Sequence, residues 1–228
     1  MSAWFVTGTD TGCGKTAVSV ALVKALNSVG NSCGYKPIAA GCEYVEGKWA
    51  NEDALALQQV SHPRPEYEQV NPFSLKEAIA PHIAAKNEGV ELPMSAVKSG
   101  FDTLQAAYAN VVVEGAGGWY VPLSLEEDLW FSDVPKQLGL PIIMVVGVKL
   151  GCINHATLTA KAILASGNRL VGWVANVVDP AMDAENENLK TLQHVLSDQL
   201  QVPQIAQFNY EASGQLPPEN IRLDALMH

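Results

Sequence analysis

The sequence predicts an α/β protein built on a mostly parallel sheet with helices on both faces. Three observations carry that expectation. Short β-branched apolar runs alternate with helix-period segments along the chain. Those runs are apolar at consecutive positions, as strands covered on both faces are. A glycine-rich loop, Gly8 to Thr16, joins the first such run to the first helical segment. With 228 residues and no proline- or serine-rich linker, residues 1–228 are expected to form one domain.

Composition narrows the partners. Lys and Arg total 14 against 24 Asp and Glu, a formal charge of -10, which argues against a nucleic acid duplex or an anionic membrane as the main partner. Small ligands are expected instead. Cys13, Cys33, Cys42 and Cys152 show neither C-x-x-C pairing nor histidines at zinc spacing, so reduced thiols in a cytoplasmic protein are expected. The apolar run from Pro141 to Val148 is far shorter than the ~20 residues that a membrane-spanning helix needs. The N-terminus enters strand and loop directly, with no pattern of a cleavable signal.

In chain order, Trp4-Phe5-Val6 reads as the end of a buried strand, and Ala17, Val18, Ala21, Leu22, Ala25 and Leu26 recur at helical spacing. The intervening glycines let backbone N–H groups turn inward while the helix start presents its positive dipole end, the arrangement of a phosphate-binding loop. Lys15 would reach the outer phosphates and the Thr16 hydroxyl would ligate magnesium. Five residues rather than four separate Gly8 from Gly14-Lys15-Thr16, so the loop is longer than the general motif. The class this implies is a P-loop NTPase-like fold.

Ser32 to Ile38 reads as a second strand running into Ala39-Ala40-Gly41, with Lys36 at its carboxyl end. A lysine there either faces a phosphate or carboxylate in the crevice or sits exposed at an edge. Asn51 has the position of an N-cap, and Asp53 in the following first turn either favours the helix start or offers a carboxylate to magnesium. From Pro63 to Tyr108, including a helix from about Met94 to Ala107, most residues read as packing, and His82 is placed outside the site.

Ala109 to Glu114 reads as a central buried strand followed by Gly115-Ala116-Gly117-Gly118. Glu114 needs a cation or a lysine if buried, and the glycines admit a substrate close to the main chain. Pro141 to Val148 is another buried strand, after which Lys149 and the helix start near Gly151, Cys152 and Asn154 suit an anionic tail or ordinary capping. Leu170 to Val178 follows, with Asn176 as its polar member, paired either with an adenine edge or with backbone. An acidic helix around Asp183 to Gln199 and a strand near Pro203 to Phe208 complete the alternation. Thr11, Lys15, Lys36, Glu114, Lys149 and Asn176 all fall at or just past carboxyl ends of expected strands, the rim where open α/β sheets bind ligands.

Four blocks resemble the dethiobiotin synthase family: Gly8-Thr9-Asp10-Thr11-Gly12-Cys13-Gly14-Lys15-Thr16, Gly34-Tyr35-Lys36-Pro37, Val113 to Trp119, and Val146 to Ala156. The longer phosphate loop is how that family writes it. The resemblance implies ATP-dependent carboxylation and ring closure of 7,8-diaminononanoate with CO2, giving dethiobiotin, ADP and phosphate through a carbamate and its mixed phosphoric anhydride. It implies catalytic roles for Thr11, Lys15 and Lys36, magnesium on Thr16, Asp53 and Glu114, and ATP on Thr11, Gly12, Cys13, Gly14, Lys15, Thr16, Glu114 and Asn176. It implies substrate contacts from Lys36, Ala40, Gly117, Gly118 and Lys149, with Gly151, Cys152 and Asn154 supplied by the partner subunit of a homodimer. Ala40 and Gly12 depart from the family, which usually has a hydroxyl residue at the first and in some members an acid at the second. The runner-up is a phosphate-loop ATPase that switches a protein partner.

Overall fold

The computed structural model describes residues 1–226. The first strand, β1 (Ser2–Gly8), leads through the glycine loop into α1 (Lys15–Leu26), and β2 (Ser32–Tyr35) follows. The chain then leaves the main sheet for β3 (Ile38–Ala40), a hairpin of β4 (Glu43–Val45) and β5 (Lys48–Ala50), α2 (Glu52–Val60), α3 (Tyr67–Val70) and β6 (Phe73–Leu75). Through α4 (Pro81–Glu88) and α5 (Met94–Ala107) it returns to β7 (Asn110–Glu114). A ribbon of β8 (Pro122–Ser124) and β9 (Leu129–Trp130) precedes α6 (Asp133–Leu138). The remainder alternates as β10 (Ile142–Val148), α7 (Cys152–Ala165), β11 (Leu170–Val177), α8 (Glu185–Leu192), a π-helical stretch over Gln193–Gln199, and β12 (Gln204–Phe208).

Six strands pair in the order β12-β11-β10-β1-β7-β2, every neighbouring pair parallel. Period-2 alternation splits their side chains between two cores. Phe5, Val111, Val113, Met144, Val146 and Trp173 pack on one face under α5, α6, α7 and α8. Trp4, Val6, Val112, Ile143, Val145 and Val174 pack on the other under α1 and α2. The predicted class is therefore the observed one, helices on both faces included.

β1 lies between β7 and β10, so the chain crosses to one side of it early and to the other side late. Such a reversal of strand order opens a crevice at the carboxyl end of the central strand, which is where the glycine loop begins.

The expected strand Ser32 to Ile38 is two pieces. Pro37 has no N–H to give a ladder, and the Lys36 N–H turns to the Val70 carbonyl at 2.9 Å while its carbonyl accepts from Asn71 Nδ2 at 2.6 Å. The chain bends there and continues as β3, which pairs with β6 in a separate small sheet. The acidic helix expected to Gln199 changes its hydrogen-bond period at Gln193. Among the described residues no helix is long and apolar enough to cross a membrane.

Candidate active site

The glycine loop owes its shape to three positions without a Cβ. Gly12 and Gly14 have φ of +80° and +87°, values that a side chain resists, and a Cβ on Gly14 would lie 2.1 Å from Asn176 Nδ2. On Gly8 a Cβ would lie 2.2 Å from Cys13 Sγ, a buried thiol beneath the loop. No side chain caps α1, so its first N–H groups face the loop's concavity, a ready site for an anion. Lys15 Nζ folds back to the Asp10 carbonyl at 3.1 Å. The Asp10 carboxylate accepts from Thr9 Oγ1 at 2.9 Å and pairs with the Lys149 ammonium.

Beside the loop, one lysine and two carboxylates form a cluster in which Lys36 and Glu114 are buried and Asp53 is half-buried. Lys36 Nζ donates to Glu114 Oε1 at 2.6 Å, Asp53 Oδ2 at 3.1 Å and the Gly115 carbonyl at 3.2 Å. Glu114, the last residue of β7, is fully buried, and its Oε1 also accepts from Thr16 Oγ1 at 2.9 Å. Asp53 stands in the first turn of α2, which Asn51 caps by accepting from the Asp53 and Ala54 N–H groups. Burial alone would lower the Lys36 pKa, but Glu114 and Asp53 beside it raise it above the ordinary lysine range. Burial of Asp53 acts to raise its pKa, and the Lys36 charge with the Thr16 hydroxyl outweighs it, holding the carboxyl below its usual range.

Glu114 Oε2 is buried and has no hydrogen-bond partner among the described residues. An orphaned carboxylate oxygen next to a threonine hydroxyl and a second carboxylate fits a hard divalent cation, which takes oxygen ligands. Thr16, Asp53 and Glu114 could supply oxygen ligands to such an ion.

Lys15, Thr16, Lys36 and Asp53 line one cleft of about 810 Å³, with Glu114 buried and bonded to two of them. Its cationic side holds Thr11, Gly12, Gly14, Lys15, Thr16, Lys36 and Asp53, and its opposite wall is Ala39, Ala40 and residues 78–81. Gly117 and Gly118 lie at the junction, where a Cβ on Gly118 would meet the Thr9 carbonyl at 3.6 Å, ordinary contact distance. Ala78, Ile79, Ala80 and Pro81 belong to the stretch expected mostly to pack. Nothing in an alanine-rich turn announces a pocket; β6 and α4 carry it there.

Other residues lie outside the cleft's lining. Asn176 sits beneath the loop, its Nδ2 donating to the Cys13 carbonyl at 3.0 Å. Lys149 is engaged by Asp10. Gly151 and Asn154 are exposed at the start of α7, whereas the Cys152 side chain is buried in the core and its N–H bonds the Lys149 carbonyl.

A family model described as an AAA domain matches residues 2–218. An ATP-dependent dethiobiotin synthetase of Xanthomonas campestris pv. campestris (strain B100) is 49% identical over 191 residues, 83% of this chain and 84% of the relative. The chain belongs to the ATP-dependent dethiobiotin synthetase family. Other synthetases, from Xanthomonas oryzae pv. oryzae (strain PXO99A) and Aromatoleum aromaticum, are likewise 49% identical, the former over 86% of this chain and 87% of its own length, the latter over 83% and 84%. Membership makes the chain an ATP-dependent ligase of biotin synthesis.

Solved structures extend the likeness of fold. A ParA family ATPase from Chlorobium tepidum is 12% identical with a TM-score of 0.58, covering all of this chain and 99% of that one. The septum site-determining protein MinD from Pyrococcus horikoshii, solved with Mg-ADP, is 14% identical with a TM-score of 0.52, covering 98% and 88%. At these identities they establish a P-loop NTPase fold for the synthetase-family chain and lend the switch alternative nothing further.

Proposed function

We propose that this cleft joins 7,8-diaminononanoate and CO2 into the cyclic urea of dethiobiotin at the expense of ATP, in the cytoplasm. The observation that carries the proposal is the convergence of Lys15, Lys36, Thr16 and Asp53, with Glu114 bonded to Lys36 and Thr16, on one cleft whose opposite wall is apolar. The charged side suits a triphosphate and a carbamate. The alanine-rich wall suits a methylene chain.

One amine nitrogen bonds to the CO2 carbon and loses a proton, giving a carbamate. A carbamate oxygen then bonds to the γ-phosphorus as the bond to ADP breaks. The second amine attacks the carbamoyl carbon, phosphate leaves with the C–O bonding pair, and the urea ring closes as that amine sheds its proton. No covalent enzyme intermediate is required, so the chain's contribution is position and charge. Lys15, freed from the Asp10 carbonyl, and Lys36 offset the charge that moves between carbamate and phosphoryl oxygens. Thr11 and the Gly12, Cys13 and Gly14 segment hold the phosphates.

Thr16, Asp53 and Glu114 would hold magnesium, which supplies charge neutralisation at the phosphates when bound. Asn176 keeps its carboxamide oxygen for the adenine amino group while its nitrogen supports the loop. Gly117 and Gly118 flank the diamine end. Gly151 and Asn154, exposed and away from their own cleft, serve the partner's substrate carboxylate in a homodimer, with Cys152 contributing main chain only.

The test is phosphate release by the purified chain with ATP and magnesium. Release is expected only when diamine and bicarbonate are both present, and mass spectrometry should find dethiobiotin in equal amount. Equal hydrolysis without the diamine would end the proposal.

A further inference from the structure

We infer that Lys149 is a positioning residue for ATP, acting through Asp10 rather than touching the substrate. The inference rests on the reading of the glycine loop as the ATP site. Asp10 stands near the crest of a loop whose free N–H groups, helix start and Lys15 are all arranged to attract anions. A bare carboxylate at that point opposes the arrangement, since it repels the incoming triphosphate. The protein answers with a cation from a neighbouring strand: Lys149, directly after β10, pairs with one Asp10 oxygen while Thr9 Oγ1 donates to the other at 2.9 Å.

Main-chain contacts hold the loop where the pair forms. The Thr9 N–H bonds the Val145 carbonyl of β10 at 3.0 Å, so two successive loop residues are tied to the β10 side. From the β7 side the main chain at Gly118 closes against the same residues, leaving 3.9 Å between a Cβ placed there and Asp10 Cα. The next residue, Thr11, lines the cleft. Lys149 is itself held in a turn, its carbonyl accepting from the Cys152 N–H at 3.0 Å. Its ammonium thus neutralises Asp10 while remaining outside the cleft's lining.

Steady-state kinetics of the full chain test this with Lys149→Met, Asp10→Asn, the double variant and Lys149→Arg. Lys149→Met exposes the Asp10 charge and should raise the KM for ATP about tenfold while kcat at saturating ATP changes no more than about twofold. The KM for the diamine should hold. Asp10→Asn removes the repulsion at its source, so the double variant should match Asp10→Asn, and Lys149→Arg should match the wild type. Added salt should shrink the Lys149→Met defect, because screening weakens a repulsion and does not mend a lost tether.

A double variant as poor as Lys149→Met would overturn the inference, as would an unchanged KM for ATP. A rise confined to the diamine KM would also overturn it, assigning the lysine to the substrate carboxylate. Absence of ATP saturation in the wild-type chain is a different failure, removing the ATP site itself and the inference with it.

Discussion

Glu114 and Lys36 show how a buried charge is made tolerable and useful at once. The carboxylate is wholly buried, which is costly unless paired, and Lys36 at 2.6 Å with Thr16 at 2.9 Å compensates one of its oxygens. Replacing Glu114 by Ala strips Lys36 of its nearest partner, and the unfolding free energy measured in urea should fall by about 3 kcal/mol. Replacing Lys36 by Met should also lower stability, since it leaves Glu114 buried without its cation, and should act on catalysis besides: kcat is expected to drop by at least about a hundredfold with the ATP dissociation constant changed only a few-fold, because the charge it offsets grows in the transition state. An unchanged kcat would remove Lys36 from the mechanism. The pKa directions also fix a stability window. Asp53 lies below its ordinary 3.8 when folded, so its contribution is present above that value and lost as pH falls through the folded value. Lys36 lies above 10.5, so its contribution is complete below that value and lost as pH rises through the folded one. Asp53→Asn should therefore flatten the acid limb of a stability–pH profile and weaken the alkaline limb in part, since Asp53 is one of the two carboxylates that raise Lys36; a profile unchanged at low pH would refute the assignment.

Elements were legible from sequence where the signal is local. The phosphate loop declares itself because glycine, lysine and threonine spacing within one turn determines its shape, and β7 and β10 because they are apolar at successive positions. The cleft wall at Ala78 to Pro81 and the bend at Pro37 depend on which distant backbone groups, such as Val70 and Asn71, meet the chain; small apolar residues carry no trace of that. Gly147 is another hidden contributor. It looks like a weak point in an apolar strand, yet a Cβ there would lie 2.9 Å from both Cα and Cβ of Cys13, so β10 can pass under the phosphate loop only without a side chain. Gly147→Ala should displace the loop and raise the KM for ATP about tenfold or more, although the residue touches no nucleotide. Gly172 in β11 supplies the control. Its added Cβ would meet Ile205 Cγ2 at 2.7 Å, a side chain that can rotate away, so Gly172→Ala should lower stability and spare the KM. Equal ATP affinity in the two variants would show that the loop does not depend on the floor beneath it.

At the scale of the whole molecule, strand order decides which loops meet. Because β1 sits between β7 and β10, the loops after all three gather around Gly8 to Thr16, and Lys36 reaches them from β2 across the end of β7. The loop after β10 nevertheless turns outward: its Lys149 stops at Asp10, and Gly151 and Asn154 face solvent beside Leu150, which is 90% exposed, with Leu158 on the same helix 61% exposed. In the proposed homodimer, this helix start without a side-chain cap and the bare leucines would lie against the second copy, with the start facing that copy's substrate carboxylate. Shared sites predict complementation between two defective chains. Lys36→Ala disables the chemistry of its own cleft, and Asn154→Asp places a like charge against the carboxylate in its partner's cleft. Each variant alone should be inactive, yet after unfolding and refolding of an equal mixture half the dimers are mixed and hold one intact site of two, so about a quarter of wild-type activity should return. Each cleft working alone would instead give an active Asn154→Asp enzyme and a mixture no better than the average of its parts, and sedimentation of a fully active monomer would dispose of the arrangement altogether.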